Sequence, residues 1–467
     1  MFNCLKTNLA PFRGFRTGAV VLFAAAALAA CGGEAPKTEA PKGGDAPKEA
    51  PKADDGKTVK IGILHSLSGA MAISETSLRD VVLMAVDEIN AKGGVMGKMI
   101  EPVVVNPDLN WPLFNEKAKQ LLLTDKVKVV FGCWTSVSRK SVLETFESNN
   151  GLLFYPVQYE GQEESKNIFY TGATPNQQLI PAAEYMRGKE GGNKKKFYLL
   201  GTDYVFPRTA NMVLKAYLKA QGVPDANIVE EYTAFDHSDY QTIVGKIKKF
   251  GAAGDATVLS TINGSSNVPF YKEFAKQGLK ASQIPIMAFS VAEDELRPLA
   301  GDTPLLVGHL AAWNYFQSID TPENKEFVAA FKKYAADKKL PDGDKRVTDD
   351  PMEAAYFGVK VWAAAVEKAQ SFDVDKVTAA VLGMEFKAPG GPKHMNAKNH
   401  HTAKPVYIGK IQADGQFEIV SKYNDGKLVE PESFSQYLPK NAPAWQPPAK
   451  AEEKKAEPAK TAEPAKK

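Results

Sequence analysis

The segment from Val129 to Gly161 constrains the fold of this chain more than any other stretch. It predicts a buried strand at 127–131, a tight polar turn at 132–136, a helix at 139–148 and a second apolar strand at 152–155. A strand, a turn, a helix and a strand in this order form the building unit of a parallel α/β sheet. Small ligands bind beyond the carboxyl ends of the strands in such sheets. We therefore expect a ligand site at the two strand ends of this segment.

Both strand ends carry side chains that combine a polar tip with an apolar or aromatic body. They are Trp134, Thr135 and Ser136 after the first strand, and Tyr155, Gln158 and Tyr159 after the second. A second interpretation stays open for the first group, because Ser136 or Ser138 would also make a good N-cap for the helix. The two roles do not exclude each other, and Ser136 could fill both.

The same alternation of strands and helices continues on both sides of this segment. A strand at 58–64 and a helix at 74–90 precede it, and a second series begins near residue 171. We expect an α/β fold with two doubly wound lobes and more than one crossover between them. Two polar loops at strand ends of the second lobe supply further candidate ligand contacts: Asp203, Tyr204 and Asn263.

The ends of the chain predict export and membrane attachment rather than folded structure. A basic start and an apolar run at 17–27 lead to the lipobox Leu28–Cys31, so we expect cleavage before Cys31 and lipid on its sulfur. The apolar run is short for a membrane span, although an uncleaved anchor remains the alternative. The segments 32–57 and 448–467 contain no large apolar residue, which predicts an unstructured tether and tail.

Composition and motifs exclude several kinds of function. The formal net charge is only +3 and the charges are dispersed, so no nucleic-acid partner is expected. The chain contains no serine elbow and no phosphate-binding loop, which argues against an enzyme and against a nucleotide cofactor. His400 and His401 are adjacent and would point to opposite faces, so a metal site is not expected. The remaining candidates suit a small, neutral, polar molecule.

The chain from about residue 60 to 439 resembles the type I periplasmic binding proteins of ABC importers, in particular those that bind urea. The resemblance is carried by IGILHSLSGAMAISE, FGCWTSVSRKSVLE, LLFYPVQYEG and GTDYVFPRTAN. It implies a type I periplasmic binding protein fold, in which two Rossmann-like lobes are joined by multiple hinge crossovers. The expected division is a signal peptide at 1–30, a tether at 31–57, lobe 1 at 58–172 and 310–386, lobe 2 at 173–309 and 387–440, and a tail at 441–467.

Related amide sensors hold their ligand by a serine in the turn, a tyrosine before a proline and a tyrosine after Gly-x-Asp. Ser136, Tyr155 and Tyr204 match these positions. Gln158 departs from the amide sensors, and an additional amide group suits a ligand with a second NH2. The resemblance therefore implies urea rather than acetamide. A further departure, at 391–395, lies in a loop and affects little.

The function implied is a receptor on the periplasmic side of the cell envelope, lipid-anchored to a membrane through Cys31. It would close its lobes over urea and deliver it to an ABC permease and its ATPase. Two alternatives stay open. One is a receptor for short amides such as acetamide and formamide, and the other is an envelope amide sensor with no role in transport.

Overall fold

The computed structural model describes residues 56–299, 301, 303–439 and 442–446, which belong to one compact unit spanning 54–467. The predicted signal peptide at 1–30, the lipobox with Cys31, nearly all of the tether at 31–57 and the tail beyond 446 lie outside the described residues.

Strands and helices alternate through most of the described chain. In chain order the strands are β1 (Thr58–Leu64), β2 (Met99–Val105), β3 (Val130–Gly132), β4 (Leu153–Tyr155), β5 (Ile168–Tyr170), β6 (Lys196–Thr202), β7 (Ile228–Thr233), β8 (Ala256–Thr261), β9 (Ile286–Ala288), β10 (Leu310–Trp313), β11 (Glu385–Ala388), β12 (Gly391–Met395), β13 (Thr402–Ala403), β14 (Tyr407–Ile411) and β15 (Phe417–Lys422). The α-helices are α1 (Ala72–Asn90), α2 (Trp111–Lys119), α3 (Ser136–Ser148), α4 (Leu179–Arg187), α5 (Val205–Ala220), α6 (Gln241–Phe250), α7 (Asn267–Lys276), α8 (Glu293–Leu296), α9 (Thr303–Leu306), α10 (Pro322–Asp337), α11 (Asp350–Ala369) and α12 (Val374–Val381).

The first lobe is built on a five-stranded sheet with the order β2-β1-β3-β4-β5, in which all neighbouring strands are parallel. Helices α1 to α3 and α10 to α12 pack around this sheet and on one another. In β1, Ile61, Ile63 and Leu64 are fully buried. Because helices cover both faces of this parallel sheet, an interior strand such as β1 is an almost continuous apolar run.

The second lobe is built on a seven-stranded sheet with the order β15-β14-β10-β9-β8-β6-β7. Its strands β6 to β10 run parallel to their neighbours, whereas β14 pairs antiparallel with β10 and with β15. The turn at 412–416 joins β14 and β15 as a hairpin. The α/β fold class is confirmed, with one parallel and one mixed sheet.

The boundary expected at residue 310 is corrected by the position of β10. That boundary assigned 310–386 to the first lobe, but β10 pairs with β9 and β14 inside the second sheet. The chain therefore crosses back to the first lobe only after Trp313. A strand whose flanking strands come from distant parts of the chain cannot be assigned to a sheet by local pattern alone.

Asn314 ties the crossovers together at the hinge. Its side-chain nitrogen donates to the carbonyl oxygens of Gln177, at 3.2 Å, and Pro405, at 2.8 Å. These three residues lie on three different segments that connect the lobes, and Asn314 is fully buried. The segments that connect the lobes are thus hydrogen-bonded to one another at the hinge and are not independent linkers.

Two regions of the second half differ from the sequence expectation. The loop expected at 391–395 is strand β12, which pairs with β11 and β13 in a small antiparallel sheet. The tail placed from 441 onward begins later, because Trp445 donates its backbone N–H to the Thr209 hydroxyl at 2.8 Å and Ala444 is buried. Among the described helices, none has the length and apolar character needed to cross a bilayer.

Candidate functional site

The turn after β3 starts α3 and exposes the beginning of that helix to the space between the lobes. Cys133 has φ of 64°, in the left-handed region, and bends the chain sharply. The N-cap is Thr135, whose hydroxyl accepts from the Ser138 backbone N–H at 3.1 Å. The expectation that Ser136 or Ser138 caps the helix is therefore wrong, and α3 begins at Ser136, three residues before the predicted start. The N–H groups of the first turn have no partner within a helix and favour an electronegative atom.

A buried ion network lies directly behind this turn. The Arg139 guanidinium, fully buried, donates to Glu160 at 3.0 Å and to Glu163 at 2.7 Å. Lys140 pairs with the same Glu163 at 2.7 Å. Burial by itself would raise the pKa of Glu163, but Arg139 and Lys140 lower it to about 2. The two cations balance the two carboxylates, so the network is neutral and the charge of Arg139 is fully paired within it.

Ser136 and Tyr155 belong to the front of this network. The Ser136 hydroxyl donates to Glu160 and accepts from Arg139 at 3.2 Å. The Tyr155 hydroxyl donates to the Trp134 carbonyl oxygen at 2.6 Å. Burial raises the pKa of Tyr155, so its hydroxyl stays neutral. Both hydroxyl protons are thus used inside the protein, so neither hydroxyl donates to a ligand, and the Arg139 guanidinium lies over one face of the Tyr155 ring, 4.8 Å from its centroid.

Gln158 reaches across to the second lobe. Its side-chain nitrogen donates to the Phe289 carbonyl oxygen at 2.8 Å and to the Ser290 hydroxyl at 3.0 Å, both just beyond β9. Its side-chain oxygen is buried and has no hydrogen-bond partner among the described residues. A buried acceptor without a donor costs free energy, so this oxygen is well placed to accept from a bound molecule.

Asn263 supplies a similar acceptor in the second lobe. Its side-chain nitrogen donates to the Thr261 carbonyl oxygen at 3.0 Å, and its backbone N–H donates to the Thr202 hydroxyl at 3.0 Å. The side-chain oxygen is again buried without a partner in the described part of the chain. Gln158 and Asn263 were both selected from the sequence, and each presents an unused carbonyl oxygen.

Tyr204 stands at the carboxyl end of β6 and begins α5. It is 6% exposed, and its ring centroid lies 5.0 Å from that of Phe235. Burial raises its pKa, so its hydroxyl stays neutral. No hydrogen bond of this hydroxyl occurs within the described residues, which leaves its proton free to donate.

The remaining candidates are placed in supporting positions. Tyr159 stacks on Tyr170 and donates to the Glu163 carbonyl oxygen at 3.1 Å, so it packs behind Arg139. Asp203 is paired with Arg208 at 2.8 Å, and its side chain is 44% exposed. The structure thus directs the Asp203 carboxylate to the surface of the second lobe instead of the cleft, because Arg208 one helical turn later holds it there.

Sequence reasoning missed the acidic residues near the cleft. Glu160 bonds Ser136 and Arg139, although it follows directly after the selected Tyr159. Glu75 accepts from the Ser66 backbone N–H at 2.8 Å and keeps its other carboxylate oxygen buried without a described partner. Burial raises the pKa of Glu75.

The two lobes touch across the cleft, so the structure is a closed form. Ser74 at the start of α1 donates to Glu295 in α8 at 2.6 Å. The backbone N–H of Ser265 donates to the Ala70 carbonyl oxygen at 3.3 Å. Gly264 lies so close to Ala70 that an added Cβ would be 2.5 Å from that oxygen. The candidate residues are therefore enclosed between two surfaces that meet.

An open cavity lies elsewhere on the second lobe. It has a volume of about 870 Å³ and is lined by α4, β15 and the segment after it, including Glu184, Tyr185 and Tyr423. None of the candidate ligand contacts lines it. Among the described residues, no group of histidine, cysteine and carboxylate side chains could hold a metal ion.

Comparison with known proteins agrees with this architecture. A family model described as a periplasmic binding protein domain matches residues 59–440. The chain is 24% identical to the Leu/Ile/Val-binding protein homolog 6 of Brucella melitensis over 76% of this chain and 87% of that protein. It is 26% identical to the leucine-, isoleucine-, valine-, threonine-, and alanine-binding protein of Pseudomonas aeruginosa, over 72% and 84% respectively.

Solved structures show the same fold. The structure of an ABC transporter solute-binding protein from R. palustris, in complex with 4-hydroxybenzoate, superposes with a TM-score of 0.67 and 24% sequence identity. The match covers 79% of this chain and 98% of that protein.

Proposed function

We propose that this chain, which belongs to the periplasmic binding protein family, is a solute-binding protein of an ABC transporter and that its solute is urea. The observation that carries the proposal is the pair of unused acceptor oxygens on Gln158 and Asn263 in a closed cleft whose buried cation is already neutralised. Urea is uncharged, with one carbonyl oxygen and two NH2 groups, and so provides donors for both acceptors.

The charge state of the cleft argues against an anionic or zwitterionic solute. A carboxylate buried in the cleft would need a cation, and Arg139 is paired with Glu160 and Glu163. Releasing it would leave a buried carboxylate without its partner, at a cost of several kcal/mol. Relatives named for amino acids or crystallised with 4-hydroxybenzoate bind solutes that carry a carboxylate. We infer that this chain has diverged from them in solute chemistry.

The donors and acceptors of urea can be assigned to groups with spare capacity. Its carbonyl oxygen faces the first-turn N–H groups of α3 and the Tyr204 hydroxyl. One NH2 donates to the Gln158 oxygen and the other to the Asn263 oxygen. Trp134 and Tyr155 cover the flat faces of the molecule. In this arrangement Ser136 orients Glu160 and lines the site, and it does not itself donate to the solute.

The proposed physiological role follows from the family and the chain ends. The receptor is held on the periplasmic side of a membrane by lipid on Cys31, closes its lobes over urea and presents the closed form to a permease with its ATPase. Closure requires that the solute bind the closed form more tightly than the open form, and contacts from both lobes provide that difference.

The test is calorimetric titration of the mature protein with urea, acetamide, formamide, leucine and 4-hydroxybenzoate. A methyl group in place of NH2 leaves a buried acceptor unpaired, which costs about 1–3 kcal/mol. Acetamide should therefore bind about ten- to a hundredfold more weakly than urea. Leucine and 4-hydroxybenzoate should give no measurable heat. Tight binding of acetamide would favour a short-amide receptor, and tight binding of leucine would refute the charge argument.

A further inference from the structure

A row of aromatic rings leads from the candidate site to the surface. Tyr204 is 6% exposed, its ring centroid is 5.0 Å from that of Phe235, and Phe235 is 6.2 Å from Trp111. Phe235 follows β7 in the second lobe, whereas Trp111 begins α2 in the first lobe. The outer contact of this row is therefore made across the cleft. We propose that Trp111 and Phe235 form an aromatic gate at the cleft mouth, which sets the rate at which the bound solute escapes.

Trp111 is held in place by its own lobe. The segment before it is bonded to the loop after β1: the Leu67 backbone N–H donates to Asn106 at 2.9 Å, and the Leu109 backbone N–H donates to the Ser66 hydroxyl at 3.0 Å. Asn110 caps α2, so Trp111 is the first residue of a fixed helix. The same loop after β1 contributes to the cleft wall, which couples the position of Trp111 to the site.

Phe235 is held in place by the opposite lobe. The neighbouring Asp236 accepts from the Ser265 hydroxyl at 2.6 Å. Ser265 also meets Ala70 of the first lobe through its backbone N–H at 3.3 Å. The loop that carries Phe235 is thus bonded to the second-lobe segment that forms the closing contact. The two rings have separate supports and meet only because the lobes are closed.

The gate follows from these separate supports. When the hinge opens, each ring moves with its own lobe, so the Trp111–Phe235 contact must break before a solute beneath it can leave. The pair consequently stabilises the closed, loaded form without touching the solute. Its loss should raise the dissociation rate constant and leave the association rate constant almost unchanged, since association begins from the open form, where the rings are apart.

The experiment measures release of radiolabelled urea, chased with unlabelled urea, from Trp111→Ala, Phe235→Ala and the double variant. Each single variant should release urea roughly two- to tenfold faster, the effect of losing one aromatic pair. The double variant should be no faster than the faster single variant, because both remove the same contact. Trp111→Phe should retain most of the wild-type behaviour. The matched control is Trp445→Ala, which removes a tryptophan that packs on Arg208 away from the cleft.

Equal release from Trp111→Ala and Trp445→Ala would overturn the gate, and so would multiplying effects in the double variant. The proposal rests on the proposed function only through the choice of urea as probe. If wild-type protein does not bind urea, the proposed solute is wrong and the gate is judged by a solute-free measurement.

That measurement uses spin labels on Lys119→Cys in α2 and Lys249→Cys in α6, both exposed and one on each lobe. The gate predicts a smaller population at the short, closed distance in Phe235→Ala than in Trp445→Ala. Identical distance distributions in the two variants would refute the gate whatever the solute is.

Discussion

The substitution Gln158→Leu tests two roles of one side-chain amide, whose nitrogen bonds the second lobe and whose oxygen is proposed to bind the solute. The nitrogen of Gln158 bonds Phe289 and Ser290 of the second lobe at 2.8 and 3.0 Å, and its oxygen has no described partner. Loss of the nitrogen weakens closure over every solute. Loss of the oxygen weakens binding only of a solute that donates to it, which in the proposed arrangement is urea and not acetamide.

The size of the selective effect can be worked from these contacts. Urea would bury one NH2 without an acceptor, which costs about 1–3 kcal/mol, or roughly 5- to 150-fold in affinity. Acetamide places a methyl group at that position, where a leucine side chain is a better neighbour than an amide. The affinity ratio of urea to acetamide, expected at about ten to a hundred in the wild type, should therefore fall to near one.

The matched control is Gln178→Leu. Gln178 also donates to the Phe289 carbonyl oxygen, at 3.2 Å, and to the Ala312 carbonyl oxygen, at 2.8 Å, so it shares an acceptor with Gln158, but its bonds stay within the second lobe. Gln158→Leu, which removes an interlobe bond, should bind both solutes more weakly than Gln178→Leu, and only Gln158→Leu should change the urea-to-acetamide ratio. Calorimetric titration of both solutes into both variants measures this. An unchanged ratio in Gln158→Leu, or equal changes in the two variants, would refute the assignment of the Gln158 oxygen.

Three further predictions address the anchor, the ion network and the closing contact. Labelled fatty acid should be incorporated into the wild type and lost in Cys31→Ser; retained labelling and membrane association would contradict the lipoprotein assignment. Arg139→Ala should lower the free energy of unfolding by about 3–5 kcal/mol, because it leaves Glu160 buried without the arginine that pairs with it. Lys140→Ala, at a side chain that is 23% exposed, should lower it by less than about 1 kcal/mol. Guanidinium denaturation of both variants measures the difference. Burial in the closed form raises the pKa of Glu295 from its ordinary value of 4.5 to about 7, so closing takes up a proton at pH values between these two. Solute affinity should therefore be highest below this pH range, fall across it by at most about tenfold per pH unit and be level above it. Calorimetry between pH 5 and 8 checks the last point, and a profile that is the same in Glu295→Gln would contradict it.

Much of the fold was predictable because its strands are buried on both faces. β1 was predicted with the bounds that the structure has, since its apolar run is flanked by a charged start and a polar loop. β5 was missed because its three residues are too few to establish a period, and β10 was placed in the wrong lobe because its partners β9 and β14 are distant in sequence.

The site shows a similar division between local and long-range information. The residues at strand ends could be selected, because the sheet topology brings those ends together whatever the loops do. Their hydrogen-bond roles could not, since they depend on partners far along the chain: the Ser136 hydroxyl donates to Glu160, 24 residues later, and the Gln158 amide donates to Phe289 in the other lobe. The acceptors of Gln158 and Asn263 are defined by what their nitrogens bond, which only the folded chain determines.

The contact between Gly264 and Ala70 affects which sizes of solute the closed protein can hold. The main chains meet there, with room for no more than a hydrogen on Gly264, so the lobes cannot approach further when the solute is small. This main-chain contact thus sets the smallest volume that the closed lobes can enclose. A solute larger than this volume holds the lobes apart, and a smaller solute leaves an empty gap that closure cannot remove. A side chain at position 264 would hold the lobes further apart and, at a φ of 62°, would also strain the main chain, so glycine at this position keeps the site small.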